Sequence, residues 1–183
     1  MIEIRNEQEI FDNPLFFDRL TQLIRKILGD HQASQYGLSL LLCDNPTIQE
    51  LNALYRGKDY ATDVLSFSLT EGEALEDFSQ MAMEDENGEI YEMLGDIVIS
   101  TEKAQSQAKE NHLSWEGEIA RLTIHGTLHL LGYDHEKGEK EEEEMFEKQD
   151  AYLEWFLARY PEYTTEDGSI PPEPPSRAQD TTS

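Results

Sequence analysis

The segment His125-Gly126-Thr127-Leu128-His129-Leu130-Leu131-Gly132-Tyr133-Asp134-His135 constrains this chain more than any other stretch. It carries three of the five histidines, at offsets 0, 4 and 10. On a helix, residues four apart share one face about 6 Å apart, so His125 and His129 can reach one cation with Zn–N bonds of roughly 2.0–2.1 Å. Gly132 lets the chain leave the helix through a left-handed turn without a Cβ clash, and the turn can swing His135 back towards the same metal. Three protein nitrogens leave a fourth tetrahedral position for water, the pattern of catalytic rather than structural zinc. Taken alone, His125 or His129 reads as an ordinary core histidine. Three at ligand spacing with a glycine turn reverse that reading. An all-imidazole set favours one Zn2+ per chain, although nickel or copper could bind the same cage.

The spacing matches the metzincin protease pattern H-E-x-x-H-x-x-G-x-x-H in all but one position. Where those enzymes place their general base, this chain has Gly126. Glycine cannot take a proton, so the pattern points to a metallohydrolase of another class.

Read as H-G-x-L-H-L-x-G-Y-D-H, the segment resembles the YbeY family of bacterial rRNA maturation factors, metal-dependent endoribonucleases. Three further blocks carry the resemblance in the same order: Leu54-Tyr55-Arg56-Gly57-Lys58-Asp59, Thr62-Asp63-Val64-Leu65-Ser66-Phe67 and Leu94-Gly95-Asp96-Ile97. It covers roughly residues 1 to 157. Ser68 departs from it, standing where the family usually has proline, outside the histidine cage. The resemblance implies an α+β fold, metalloprotease-like, with a mixed, mainly parallel sheet of about four strands, helices packed on it and the metal helix near the centre. It implies a single-strand-specific endoribonuclease that matures ribosomal RNA, notably the 16S 3′ end, and serves ribosome quality control. Its partners would be RNA and the ribosome, met through ribosomal proteins or an assembly GTPase. The resemblance makes Arg56 the phosphate and transition-state contact, with Lys58 a weaker phosphate candidate. The bland reading of Arg56 is a helix C-terminal arginine favoured by the macrodipole.

Asp134 can orient His135 or accept a proton near bound water; equally, it can be a turn-forming aspartate. Asp63 and Asp96 stand at strand ends and can bond a histidine or a turn. Ser66 is a polar residue inside a strand. His31 and His112 lack partners at ligand spacing and read as surface or helix-end residues. Two other functions stay open. One is a zinc peptidase with a base from outside the motif, Asp134 being the nearby candidate. The other is a non-catalytic ribosome-assembly adaptor with a structural metal.

A net charge of −25 sits awkwardly with RNA, because nucleic-acid binders usually carry a basic footprint. The acid is unevenly spread: residues 71 to 92 hold nine acidic and no basic residues. Arg56 and Lys58 lie together elsewhere, so a local basic cleft on an acidic body remains open, whereas non-specific binding by the whole surface does not. The single cysteine, Cys43, sits in the apolar run Leu38 to Cys43 and suits a reducing cytoplasm. No apolar run approaches membrane-spanning length, and Met1-Ile2-Glu3-Ile4 does not begin a signal peptide.

Strands are expected over residues 2–5, 38–43, 64–69 and 94–99. Asn13-Pro14 and Asn45-Pro46 read as helix starts, with Gly29 and Gly57 as stops. The second of these helices carries Ile48, Leu51, Leu54 and Tyr55. Ser100 or Thr101 caps a helix to about Lys109, and Ser114 caps the metal helix. Lys137 or Gly138 opens a last helix burying Met145, Tyr152, Leu153 and Phe156. One hydrolase domain is expected over residues 1–160, with residues 70–92 an exposed acidic loop or loose hairpin. Residues 161–183 form a Pro-rich acidic tail, expected to be disordered because it cannot bury enough apolar surface to offset ordering.

Overall fold

The computed structural model describes residues 1–8, 12–69 and 83–165. Its first helix, α1 (Pro14–Asp30), follows from a stripe at helical spacing: Phe16, Leu20, Leu23, Ile24, Ile27 and Leu28 are all buried. The Asn13 side chain accepts from the Phe16 N–H at 3.2 Å and starts it, as a capping asparagine should. The helix passes the expected stop at Gly29 by one residue and closes at His31.

Strand β1 (Ile2–Asn6) pairs parallel with β2 (Tyr36–Cys43), Ile4 lying opposite Leu40. β2 pairs parallel with β5 (Ile90–Ser100), and β3 (Val64–Ser68) pairs antiparallel with the other edge of β5. The order is β1-β2-β5-β3, with the two-residue β4 (Met83–Glu84) paired on β5 alone. β2 lies inside the sheet and is covered on both faces, so its run from Leu38 to Cys43 is nearly all apolar. Leu38, Leu40, Leu42, Ile97 and Ile99 face the main core with α1, while Leu41, Cys43, Leu65, Phe67 and Val98 form a smaller cluster on the opposite face. Burial pushes the Cys43 thiol up to about 12, which keeps it protonated and unreactive.

The helix α2 (Asn45–Arg56) covers that smaller cluster, and two expectations about it change. The cap is Asp44, whose carboxylate accepts from Thr47 N–H at 2.9 Å. Asp44 has the extended backbone a cap requires, whereas Asn45 is already helical and instead accepts from the Ser100 hydroxyl at 2.6 Å. The expected apolar stripe is also turned outward: Leu54 is 72% exposed, while Ile48 and the polar Asn52 are buried. The small cluster takes Ile48 fully and Leu51 partly from the helix. Asn52 is satisfied by donating to the Tyr60 carbonyl at 2.9 Å, which ties down the loop after Gly57.

Part of the acidic segment is a hairpin. β4 meets Ile90 and Tyr91 across a turn in which the Asp85 carboxylate accepts from the N–H groups of Asn87 and Glu89, both at 2.9 Å. Residues 70–82 of that segment lie outside the described residues.

After β5 come α3 (Thr101–Ala108), capped by Ser100, and α4 (Trp115–Leu130), capped by Ser114. α5 (Glu139–Arg159) follows. α4 is the central helix, in contact with α1, α3, α5, β3 and β5. It approaches the sheet at Gly126, where a Cβ would stand 2.8 Å from Ile97 Cγ2. A helix packed on every side shows apolar residues all round, and α4 buries Ile119, Ala120, Leu122, Ile124, Leu128 and Leu130.

The ordered chain does not stop at residue 160. Pro161–Tyr163 form one 3-10 turn, and the Tyr163 ring, 6% exposed, stacks on Phe156 at 5.6 Å. The Ser114 N–H donates to the Tyr163 carbonyl at 2.8 Å, tying this turn to the start of α4. One large aromatic ring buries enough surface to hold a short segment that its composition alone marks as tail. The remainder of the expected tail, residues 166–183, lies outside the described residues. Among the described residues, no helix is long and apolar enough to cross a membrane.

Candidate metal centre

His125 and His129 project from one face of α4, their Nε2 atoms 3.2 Å apart. The helix then ends in a Schellman motif: Gly132 N–H donates to the His129 carbonyl at 3.0 Å and Tyr133 N–H to the Leu128 carbonyl at 3.1 Å. Gly132 sits at φ 103°, open to glycine and costly for other residues. This turn brings His135 back, and one ligand atom from each of the three rings lies within 4.8 Å of the others. Two nitrogens on one tetrahedral zinc are separated by roughly 3.4 Å, so the α4 pair already has that spacing and His135 needs a small closure. His135 Nδ1 is buried with no hydrogen-bond partner, the kind of orphan that a metal site or its water resolves. The donor set therefore fits one metal ion held by His125, His129 and His135.

His125 and His129 carry the right protonation state for ligation. Burial lowers the His125 pKa, and burial together with the neighbouring His125 and His135 lowers that of His129 to about 4. Both stay neutral at neutral pH, with lone pairs available. A pH dependence follows for the metal-free protein. The unfolded His129 imidazole takes a proton near pH 6.5, the folded one only near 4. Between these values the unfolded state binds more protons, so stability is complete above 6.5 and falls as the pH drops towards 4. Thermal melts in chelator across this range should show the fall, and a flat profile would remove the buried-imidazole account.

Two supports were not visible as site residues in the sequence. His125 Nδ1 lies 2.8 Å from Gln149 Oε1, and Gln149, on α5, is 4% exposed. The only signal was spacing: Gln149 is the polar member of the buried set Met145, Gln149, Tyr152 and Phe156. His31 is a helix-end residue, as expected, yet it also braces the metal turn. Its Nδ1 lies 2.7 Å from the Ile27 carbonyl, its own helix partner, which leaves Nε2 to accept from the Tyr133 hydroxyl at 3.0 Å. His112 stands at a positive φ of 54° after α3 and is not among the three grouped ligand candidates.

The histidines open into a cleft of about 530 Å3 whose lining includes Arg56, Lys58, Asp63, Ser66 and Asp134. Arg56 ends α2 beside Gly57, which is left-handed at φ 68°. Its Nη2 donates to the Ser66 carbonyl at 2.6 Å, and its guanidinium lies over the Phe67 ring at 4.9 Å. The helix-end role and the cleft position thus coexist. Asp134 Oδ1 accepts from Glu136 N–H at 2.9 Å, so one carboxylate oxygen closes the turn. Ser66 donates to the Gly126 carbonyl at 3.4 Å. Asp63 caps the start of β3 by accepting from Val64 N–H at 2.8 Å. Asp96 faces away from the histidines, beside Ser39, whose hydroxyl donates to it. Gly126 bears on the peptidase reading: a side chain there meets Ile97 of the sheet rather than open space, so the position of the missing base is a packing position.

A mixed sheet with a central helix, three convergent imidazoles and an arginine in one cleft defines a hydrolase-type frame with a candidate single-metal site. The model of the family described as endoribonuclease YbeY matches residues 2–156. A Lysinibacillus sphaericus protein named endoribonuclease YbeY is 46% identical over 143 residues, covering 74% of this chain and 85% of that protein. One of the same name from Persephonella marina is 40% identical over 154 residues, covering 84% and 92%. A Thermotoga maritima protein solved in solution superimposes with a TM-score of 0.58 at 28% identity, covering 88% of this chain and 93% of its own. The chain belongs to the endoribonuclease YbeY family.

Proposed function

We propose that this chain is a zinc-dependent, single-strand-specific endoribonuclease of the cytoplasm. It matures ribosomal RNA, notably the 16S 3′ end, and takes part in ribosome quality control. The observation that carries the reading is the convergence of three histidines and Arg56 on one cleft. An imidazole-only set favours zinc, which as a Lewis acid supplies charge stabilisation at a phosphoryl oxygen or lowers the pKa of bound water. His125, His129 and His135 would hold it. Arg56 would place its guanidinium on the scissile phosphate and stabilise the charge that grows there. Its bond to the Ser66 carbonyl and its seat on Phe67 fix its direction beforehand, so little ordering remains at the moment of reaction. Asp134, with one oxygen committed to the turn, would orient His135 or take a proton with the other. Lys58 would add a second phosphate contact.

The acidic body, at −25 overall, supports recruitment through a protein partner, a ribosomal protein or an assembly GTPase. Phosphate binding needs cations that most of this surface lacks.

The test is 16S 3′-end mapping in cells depleted of the protein and complemented with wild type, Arg56→Lys or Arg56→Ala. Arg56→Lys is expected to complement poorly, because an ammonium cannot fork onto two phosphate oxygens, and Arg56→Ala not at all. In purified RNA cleavage Arg56→Ala should lose about 100-fold or more, the scale of removing one transition-state donor. Complementation by Arg56→Ala would turn the reading to an adaptor with a structural metal. Product ends also decide the attacking group, since a 2′,3′-cyclic phosphate excludes attack by water.

A further inference from the structure

We propose that Gln149 is a positioning residue for the metal centre: its side-chain carbonyl accepts the Nδ1–H of His125 and holds that ring in the tautomer whose Nε2 lone pair faces His129 and His135. The geometry is specific. Gln149 Oε1 lies 2.8 Å from His125 Nδ1, and His125 Nε2 lies 3.2 Å from His129 Nε2. A neutral imidazole has one N–H and one lone pair. Fixing the hydrogen on the Gln149 side therefore leaves Nε2 as the acceptor, directed at the metal position. In the other tautomer that position faces a hydrogen, and binding a metal must first move it.

The placement argues against a chance contact. Gln149 comes from α5, 24 residues from His125, and is 4% exposed between Met145 and Phe156, both fully buried. An amide on such a stripe is costly unless its polar atoms are paired, and the histidine supplies a partner. Many metal-binding histidines donate to a carboxylate instead, which raises their basicity. The amide fixes orientation without adding charge to a helix whose segment from Glu139 to Asp150 holds seven acidic residues.

The inference rests on the reading of the three histidines as a metal centre and not on RNA cleavage. It is tested on the full chain, first metal-free, by long-range 1H–15N correlation of the imidazole nitrogens, then by zinc affinity in competition with a chromophoric chelator. Variants are Gln149→Met, of similar length without an acceptor, and Gln149→Glu, which keeps one. In the wild type, His125 should carry its proton on Nδ1. Gln149→Met should show mixed tautomers and bind zinc about 10- to 100-fold more weakly, the usual loss when such a partner is removed. Gln149→Glu should keep the tautomer and bind zinc at least as tightly. A wild-type proton on Nε2, meaning that the amide is turned and donates, overturns the proposal even if Gln149→Met does not fold. So does equal weakening in both variants, which would make Gln149 a packing residue. Failure of the wild type to bind zinc would sink the metal centre along with it. Zinc binding as expected without RNA cleavage would sink the proposed function and leave the role of Gln149 standing.

Discussion

Replacing His129 by alanine is expected to abolish stoichiometric zinc binding and cleavage of single-stranded RNA while leaving the fold intact. His129 stands on α4 with its Nε2 3.2 Å from that of His125, so it is half of the pair that already has ligand spacing. Two remaining nitrogens on different elements, α4 and the following turn, make a poor site for an ion that takes three or four. The loss should exceed the roughly 10- to 100-fold that follows removal of a supporting partner. The helix should survive, because alanine has the highest helix propensity and the lost ring is only partly buried, on the cleft side. Metal content and a ribonuclease assay with a single-stranded substrate read the first effect, and circular dichroism reads the second. The same variant has an opposite signature in acid. It removes an imidazole whose folded pKa is held near 4, so the metal-free variant should lose less stability between pH 6.5 and 4 than the wild type does. Wild-type zinc affinity in His129→Ala would end the metal-centre reading.

The largest effect on stability is expected about three turns earlier on the same helix. Glu118 is fully buried, accepts from Arg121 Nε at 3.0 Å and from Arg121 Nη2 at 2.5 Å, and also accepts from Asn111 Nδ2 at 2.9 Å. Burial acts to lower the Arg121 pKa, but its hydrogen bonds to Glu118 together with the negative charges of Glu118, Asp63 and Asp150 outweigh this and raise it. Glu118→Ala leaves a mostly buried guanidinium and an amide without their acceptor. Breaking a buried pair from one side costs about 3–5 kcal/mol, and the 24% exposure of the Arg121 side chain places this case near the lower figure. Replacing both residues with leucine should cost less than Glu118→Ala alone, since no buried charge is then left unpaired and only the Asn111 amide loses this acceptor. Urea unfolding of the single and double variants measures both statements. A single-variant loss below about 1 kcal/mol would mean that water reaches the pair and screens it.

Elements whose making is local were legible in advance. The helix start at Asn13-Pro14, the Ser100 and Ser114 caps and the left-handed Gly132 turn depend on residues within a few positions of one another, and backbone geometry links them directly. The α2 stripe misled for a related reason. Leu54 and Tyr55 have the right spacing for burial, but only Ile48 is fully buried in the cluster, with Leu51 partly buried against it, and Asn52 is buried because the Tyr60 carbonyl waits for it. Tyr163 misled in the other direction: its neighbours read as tail, and a stacking partner on α5 holds it in the core. Gly126 stands where a metzincin carries its base, and the distance to Ile97 shows it as a close-packing position.

The sequence by itself determined the candidate ligands, because positions 125, 129 and 135 are related by one helical turn and one glycine turn. Local geometry leaves their side chains little choice of direction. It also determined the family, through motifs whose order along the chain is readable without coordinates. Only the tertiary structure decided what surrounds those ligands. Arg56 reaches the cleft because α2 ends above β3, Gln149 meets His125 because α5 packs on α4, and His31 meets Tyr133 across 102 positions of chain. Such contacts are set by how helices and sheet settle against a shared core, and no spacing within a single element encodes them.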